Sequence, residues 1–229
     1  MTTFAIDVAI ISIIAFCGWR GYRNGLIRGV FGVVSLIAAM IIANIAASAY
    51  AEELTGVLKP FVGGIIDSTL NEIVEKDTRY ETIDHDNDSV EFRIAYNALR
   101  QVGLPESAAE SVCERVVDDD AEGLLSDMIS DKLSSILAFV ALFGIGFLLA
   151  AIIFAVIGNL INFVFSLPGL KMVDIVTGVA LGLVKGLLIV LAMTTVVRYF
   201  GLLAISTVEK TTVLNYFVNN NPIANMLGI

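Results

Sequence analysis

Long apolar runs constrain this chain more than any other feature of its sequence. A helix that crosses the hydrocarbon core of a bilayer needs roughly 20 apolar residues, and residues 30–50 and 136–165 contain no charged side chain. Residues 4–19 form a shorter apolar stretch, and residues 173–199 form another in which Asp174, Lys185 and Arg198 are embedded. The pattern predicts an all-α integral membrane protein with four transmembrane helices, arranged as two helical hairpins.

Charge divides the chain into parts of unlike character. The net charge is -9 and the sequence is 57% hydrophobic and 16% charged, whereas soluble proteins average about 25% charged residues. Residues 52–131 alone carry -14, and the rest of the chain carries +5. We therefore predict a first hairpin at 1–51, an acidic extracytoplasmic helical insert at 52–131, a second hairpin at 132–200 and a C-terminal tail at 201–229 that forms one amphipathic helix on the membrane surface.

The acidic insert is predicted to contain two amphipathic helices that form a small cap over the membrane part. Apolar residues recur at helical spacing on both sides of a break at 103–105. They are Val90, Ile94, Ala98 and Val102 before the break, and Ala109, Val112, Cys113 and Val116 after it. Residues 84–88 are predicted to form a solvated loop, because Asp and Asn side chains bond their own backbone in turns.

The positions of the cations predict the orientation. Arg20, Arg23 and Arg28 follow the first apolar stretch, and Lys171 precedes the fourth. Cations in short loops are retained on the cytoplasmic side of a membrane. We therefore expect both of these turns to face the cytoplasm, with the termini and the acidic insert on the other side.

One glycine pattern occurs twice in the sequence. Glycines recur at intervals of four residues, which lets a second helix approach closely, and a cation precedes the last glycine of each set. The first set is Gly21, Gly25 and Gly29 with Arg28, and the second is Gly178, Gly182 and Gly186 with Lys185. Two interpretations stay open: two independent packing faces, or a two-fold repeat of hairpins related by an axis along the membrane normal.

The repeat hypothesis changes the interpretation of Lys185. A cation at the centre of a bilayer costs about 2.5–3.5 kcal/mol on insertion scales, which would indicate a functional role. If Lys185 corresponds to Arg28, the fourth span starts at Gly186 and the ammonium group lies at the cytoplasmic interface, where it can reach water. The interfacial placement is the one we predict.

At these motifs the chain resembles the colicin V production protein family. The residues of the first half that carry the likeness are Asp7 to Ile11, Arg20-Gly21-Tyr22, Arg28-Gly29 and Ser35-Leu36. Those of the second half are Asp174, Gly178, Gly182, Lys185-Gly186, Leu187 to Ile189 and Ser206. The resemblance implies a multi-pass protein of the bacterial inner membrane that is needed for production of a secreted peptide toxin, and it implies no enzyme. The acidic insert departs from the shorter members of the family.

Several chemical functions are disfavoured by the sequence. Asp84, Asp86 and Asp88 have the spacing of the first three ligands of a calcium loop, but Ser89 and Ala95 replace the glycine and glutamate that complete it. The single histidine, His85, leaves no set of residues for a metal site or for acid–base catalysis. We expect no enzyme activity, no metal and no cofactor. The acidic insert would repel phosphate, so nucleic acid is not an expected partner.

Three functional classes remain. The first is an accessory or scaffold protein in toxin production that uses its glycine faces to assemble with itself or with another membrane protein. The second is a small channel or transporter, since polar groups within spans are disfavoured against lipid and tend to face a cavity. Its candidate polar residues are Arg28, Lys185, Asp174, Asn44, Asn159 and Asn162. The third is a sensor that uses the acidic insert as its external domain.

Overall fold

The computed structural model describes residues 2–76, 90–117, 125–160, 171–200 and 205–227, and these residues are almost entirely helical. Three of the helices, α1, α4 and α5, are long and apolar enough to cross a membrane. The helices are α1 Thr2–Lys76, α2 Val90–Val102, α3 Glu106–Val117, α4 Leu125–Leu160, α5 Lys171–Phe200, α6 Ile205–Lys210, α7 Thr212–Asn219 and α8 Pro222–Leu227.

Helix α1 is broken by a bend at Gly25. The backbone there has φ 70° and ψ -174°, which is not helical. Positive φ costs little only for glycine, because glycine lacks a Cβ. The bend divides α1 into a first arm, residues 2–24, and a second arm, residues 26–76.

The two arms run in opposite directions past α5. Along the first arm, Ile14, Gly18 and Gly21 lie against α5 residues of decreasing number, namely Gly186, Gly182 and Gly178. Along the second arm, Gly29 lies against Leu181 and Gly32 against Lys185, so the numbers rise together. The first arm is therefore antiparallel to α5 and the second arm is parallel to it, which makes α1 a helical hairpin.

The second arm also pairs with α4 along most of its length. Phe31 contacts Gly158 and Ala43 contacts Gly146, and farther along Lys59 forms an ion pair with Asp131 at 2.5 Å. The pairing is antiparallel. Residues 52–76, predicted as part of the separate acidic insert, are instead a continuation of α1, because α4 and the cap bury residues such as Val62 and Ile66 on that stretch.

The two predicted helices of the cap are present as α2 and α3. Their buried residues pack on the ends of α1 and α4, forming one core with side chains that include Ile66, Leu99, Val112, Ile129 and Leu133. All four residues predicted to line the inner face of α3, Ala109, Val112, Cys113 and Val116, are buried. In α2, Ala98 of the predicted set is buried and Val102 packs against the core, while Ala95 and Leu99, which were not predicted, are buried as well.

Arg198 joins the cap to the membrane helices. The side chain lies near the end of α5 and is only 4% exposed. Its Nη2 atom donates to the carbonyl oxygen of Ser107 at 2.7 Å and to the hydroxyl of Ser111 at 3.2 Å, both in α3. Because a buried cation depends on the hydrogen bonds that its donors make, these two bonds hold the cap in place over α5, although the Nε atom of Arg198 is buried without a hydrogen-bond partner among the described residues.

The C-terminal tail forms three short helices, α6, α7 and α8, rather than the single amphipathic helix predicted from the sequence. Leu214 and Val218 of α7 are buried against the first arm and α5. Asn221 is 2% exposed, and its Nδ2 donates to the carbonyl oxygen of Leu191 and to the hydroxyls of Thr194 and Thr195. The tail divides because these polar groups of α5 hold Asn221 between α7 and α8.

Asp7 fastens the tail to the first arm. Its carboxylate accepts hydrogen bonds from the backbone N–H groups of Thr212, Val213 and Leu214 at 3.0–3.1 Å. These are N–H groups of the first turn of α7, which have no partner within their own helix. Thr211 at the N-cap position makes no capping hydrogen bond to α7, because its hydroxyl donates to the carbonyl oxygen of Val208 at 2.7 Å, and a carboxylate from another helix caps α7 instead.

The surface that remains is apolar over the long helices. Large hydrophobic side chains are exposed on both arms of α1, on α4 and on α5. They include Ile41, Ile45, Leu148, Ile153 and Val176. Such a belt is disfavoured in water and suits the hydrocarbon of a bilayer.

We expect the Asp7→Ala variant to release the tail. The loss of a helix cap costs about 1 kcal/mol, which corresponds to a roughly fivefold larger open population of α7. Trypsin cleavage after the exposed Lys210, followed by mass spectrometry of the detergent-solubilised protein, measures this opening. The Asp7→Asn variant keeps an acceptor oxygen and serves as the control. Equal cleavage of the two variants and the native chain would show that the cap does not hold the tail.

Candidate functional site: the glycine crossing and a cationic cavity

Five of the six glycines predicted as packing residues lie in one region with Gly18, where the first arm and the bend of α1 cross α5, whereas the sixth, Gly29, lies on the second arm against the side chain of Leu181. We call the contact made by Gly18, Gly21, Gly25, Gly178, Gly182 and Gly186 the glycine crossing. A Cβ placed on Gly21 would collide with the carbonyl oxygen of Gly178, and one on Gly182 would collide with that of Cys17. At these positions backbone packs directly on backbone, so no side chain fits between the two helices.

Asp174 secures the bend in α1. Its Oδ1 atom accepts a hydrogen bond from the backbone N–H of Leu26 at 2.7 Å. Leu26 begins the second arm, where free N–H groups and the helix dipole both favour a carboxylate. A Cβ on Gly25 would lie 2.5 Å from Asp174 Oδ2. Gly25 is thus required twice, by its backbone conformation and by the carboxylate beside it.

The two copies of the glycine pattern pack on each other but differ in conformation. Gly182 aligns with Gly25 in the sequence comparison, yet α5 continues without a break from Lys171 to Phe200. Gly186 therefore does not start a helix. Lys185 lies about 20 Å along α5 from Lys171 at 1.5 Å per residue, in the middle of a continuous helix, so the backbone around it does not repeat that around Arg28.

A cavity of about 240 Å³ lies beside the glycine crossing. Its polar lining comes from the first arm, the second arm and α5. The lining residues are Arg20, Asn24, Arg28, Phe31, Gly32, Ser35, Leu36, Ala151, Phe154, Ala155, Gly158 and Lys185. We call this space the cationic cavity, because Arg20, Arg28 and Lys185 are its only charged lining residues among those the structure describes.

The side chain of Lys185 lies against Gly32 in this cavity. A Cβ on Gly32 would lie 3.4 Å from the Cδ and Nζ atoms of Lys185. The lysine side chain therefore lies along the second arm, on the same side as Ser35 and Arg28. Within the described parts of the chain, no carboxylate forms an ion pair with Arg20, Arg28 or Lys185.

The structure brings some of the predicted polar residues together and separates others. Arg28 and Lys185 line the cationic cavity, whereas Asp174 is engaged at the bend and Asn44 is not among the lining residues. The side chain of Asn159 and all of Asn162 lie outside the described residues. Arg20, Asn24 and Ser35 were missed as lining residues. The bend brings Arg20 and Arg28 to one cavity, and their spacing in the sequence does not show this.

Metal chemistry has no support in the part of the chain that the structure covers. No group of three or more His, Cys, Asp or Glu side chains that could hold a metal occurs among the described residues. The loop of Asp84, His85, Asp86 and Asp88, which was considered as a calcium site, lies outside them.

Comparison with known proteins gives one match. A family model described as "Colicin V production protein" matches residues 6–81 and 114–222. These ranges include both halves of the glycine crossing, all the cations of the cavity and the tail helices as far as Pro222. No curated protein and no solved structure matches the chain.

Gly21→Ala tests the glycine crossing. The new methyl group would have to separate two backbones, and overpacking of this kind costs about 1–3 kcal/mol. We expect a lower thermal unfolding midpoint in detergent micelles. Gly64→Ala is the matched control on the same helix, since nothing lies within 4 Å of its Cβ position and alanine favours a helix by up to about 1 kcal/mol. An unchanged midpoint for Gly21→Ala would contradict the close contact.

Proposed function

The chain belongs to the colicin V production protein family, and from this premise we propose that it is a non-enzymatic accessory protein of the bacterial inner membrane that acts in the production or secretion of a peptide toxin. The family match over both halves of the chain carries the proposal. Its membrane location is supported by three helices that are apolar enough to cross a bilayer.

Four spans form two helical hairpins in this proposal. The first arm of α1 covers about 35 Å at 1.5 Å per residue, which is long enough to cross a bilayer core of about 30 Å. The antiparallel course of the two arms supports counting α1 as two spans. Helices α4 and α5 supply the other two spans. The second arm is antiparallel to α4 and parallel to α5, so α4 and α5 run in opposite directions.

The cap faces away from the cytoplasm in this arrangement. Arg20, Arg23 and Arg28 lie around the bend of α1, while α2, α3 and the tail helices lie at the other end of the long helices. Retention of cations on the cytoplasmic side then places the bend inside. The cap, the acidic insert and both termini are extracytoplasmic.

An accessory role requires a partner, either a second copy or another membrane protein. The six glycines of the two patterns are all in contact within the chain, so they are not free to bind a partner as the sequence suggested. The surfaces that remain for a partner are the exposed apolar belt and the outer face of the cap, whose helices α2 and α3 carry exposed charged side chains such as Arg93, Glu106 and Glu110.

A small channel or transporter is the second candidate. One observation favours it: Arg20, Arg28 and Lys185, from three segments of the chain, line the same cavity. Cations within a membrane protein commonly mark a path for ions or solutes. Flux of a labelled anion into liposomes containing the purified protein, abolished by Lys185→Gln, would favour this function over an accessory role.

Cysteine labelling tests the four spans and their orientation. In a background of Cys17→Ala and Cys113→Ala, we expect an impermeant maleimide to label Glu106→Cys in intact cells, and to label Arg23→Cys only after the cells are opened. Both native side chains are exposed. Labelling of both positions in intact cells would rule out a hairpin in α1, and the reverse pattern would invert the orientation.

Toxin secretion tests the accessory role. In a toxin-producing strain whose own family member is deleted, we expect this chain to restore secreted toxin activity. Gly21→Leu should fail, because the larger side chain opens the glycine crossing, and Gly64→Leu should restore secretion. Pull-down of the chain from the same cells tests whether a secretion protein binds to it. Restored secretion with no flux in liposomes supports the accessory role. Full secretion by the deletion strain, without any family member, would contradict that role.

A further inference from the structure

The cationic cavity concentrates positive charge in a confined space. Arg20 comes from the end of the first arm, Arg28 from the first turn of the second arm and Lys185 from the middle of α5. The wall from α4 consists of Ala151, Phe154, Ala155 and Gly158, which carry no charge. Like charges facing one cavity repel each other, and the repulsion grows as water is excluded. A bound anion would relieve it.

No acidic side chain of the described residues neutralises these cations. Asp174 is on the same helix as Lys185, but its Oδ1 accepts from the Leu26 amide and its carboxylate lies against Gly25. The remaining cation of the bend, Arg23, stacks over the Trp19 ring at 5.8 Å and is not among the lining residues. The positive charge of the cavity is therefore available to a ligand.

We infer that the cationic cavity binds a phosphate group, and that the headgroup of an anionic lipid supplies it. Two arginines offer planar pairs of donors that match phosphate oxygens, and a lysine adds a compact charge. Asn24 and Ser35 add polar groups. The cavity volume of about 240 Å³ corresponds to roughly eight water molecules at about 30 Å³ each, which accommodates a phosphate group.

A lipid is the source favoured by the surroundings of the cavity. Phe31, Leu36 and Phe154 give the cavity apolar walls. Nearby on the second arm and on α4, the apolar residues Val34, Ile37 and Ile153 are exposed. Acyl chains could lie along that surface while the headgroup enters the cavity. Basic pockets between transmembrane helices are known to hold anionic headgroups in this way. A soluble phosphate ester is the other possible source.

Binding of phosphatidylglycerol to the purified full-length protein tests this inference. Short-chain fluorescent phosphatidylglycerol is titrated into protein held in neutral detergent. We expect the Kd to rise at least about tenfold in the double variant Arg28→Gln/Lys185→Gln, which removes two charge-assisted contacts. Arg23→Gln removes a cation from the same turn but not from the cavity, and its Kd should change less than about twofold.

The outcomes separate the two sources. Competition by phosphatidylglycerol but not by millimolar inorganic phosphate or glycerol phosphate identifies a lipid site, whereas competition by the soluble phosphates identifies the phosphate group alone as the ligand. Equal weakening in Arg23→Gln and in the double variant would overturn the inference, because binding would then follow surface charge. The same holds if neither ligand binds saturably.

A second variant guards against misfolding. Arg28→Lys/Lys185→Arg keeps both charges in the cavity and also keeps two guanidinium groups there, one of them moved to position 185, so it should retain binding within about threefold. Loss of binding in this variant together with a native unfolding midpoint would also contradict the inference. The binding test uses purified protein and is independent of toxin secretion. A chain that restores secretion but binds no phosphate would remove this inference and leave the proposed function standing.

Discussion

Direct contact between backbones at the glycine crossing is the constraint on which the rest of this structure depends. Lipid offers no hydrophobic incentive for two helices to associate, so close packing must supply the attraction. Gly21 and Gly178 provide it by removing every side chain from the contact. The crossing fixes the direction of the first arm against α5, and the bend at Gly25 then returns the chain as the second arm, parallel to α5. The position of the cationic cavity follows from the same geometry.

Two carboxylates within apolar segments accept hydrogen bonds from other helices, and these contacts were not predicted from the sequence. Asp174 caps the first turn of the second arm, and Asp7 caps α7. In each case an acid from one helix satisfies the backbone N–H groups at the start of another, where the helix dipole favours negative charge. Each contact joins segments that are distant along the chain. Asp174 in this way stabilises the bend, and Asp7 binds the tail to the first arm.

Among the cations, Arg198 resembles these two carboxylates in binding another helix, whereas the three cations of the cavity make no such contact in the part of the chain that the structure describes. Arg198 is buried and donates from its Nη2 atom to two oxygen atoms of α3, so it links the cap to the membrane helices. Arg20, Arg28 and Lys185 line a cavity instead and have no carboxylate partner among the described residues. The six glycines that were expected to bind a partner protein are in contact within the chain, and none of them lines this cavity. Among the described residues, the surfaces that remain for a ligand or a partner are the cavity, the apolar belt and the outer face of the cap.

The sequence by itself determined the helical class, the apolar segments, the two cap helices and the family. These rest on local properties: an uncharged run of sufficient length must be helical in lipid, and the spacing of Ala109, Val112 and Val116 defines one helix face wherever it packs. Only the tertiary structure decided that α1 continues through residue 76, that α5 is unbroken at Gly182, that the tail divides at Asn221, and that Arg20 joins Arg28 and Lys185. Each of these depends on a partner distant in sequence. Gly25 and Gly182 have similar neighbours along the chain, and only Gly25 is bent, because Asp174 caps the helix that follows it.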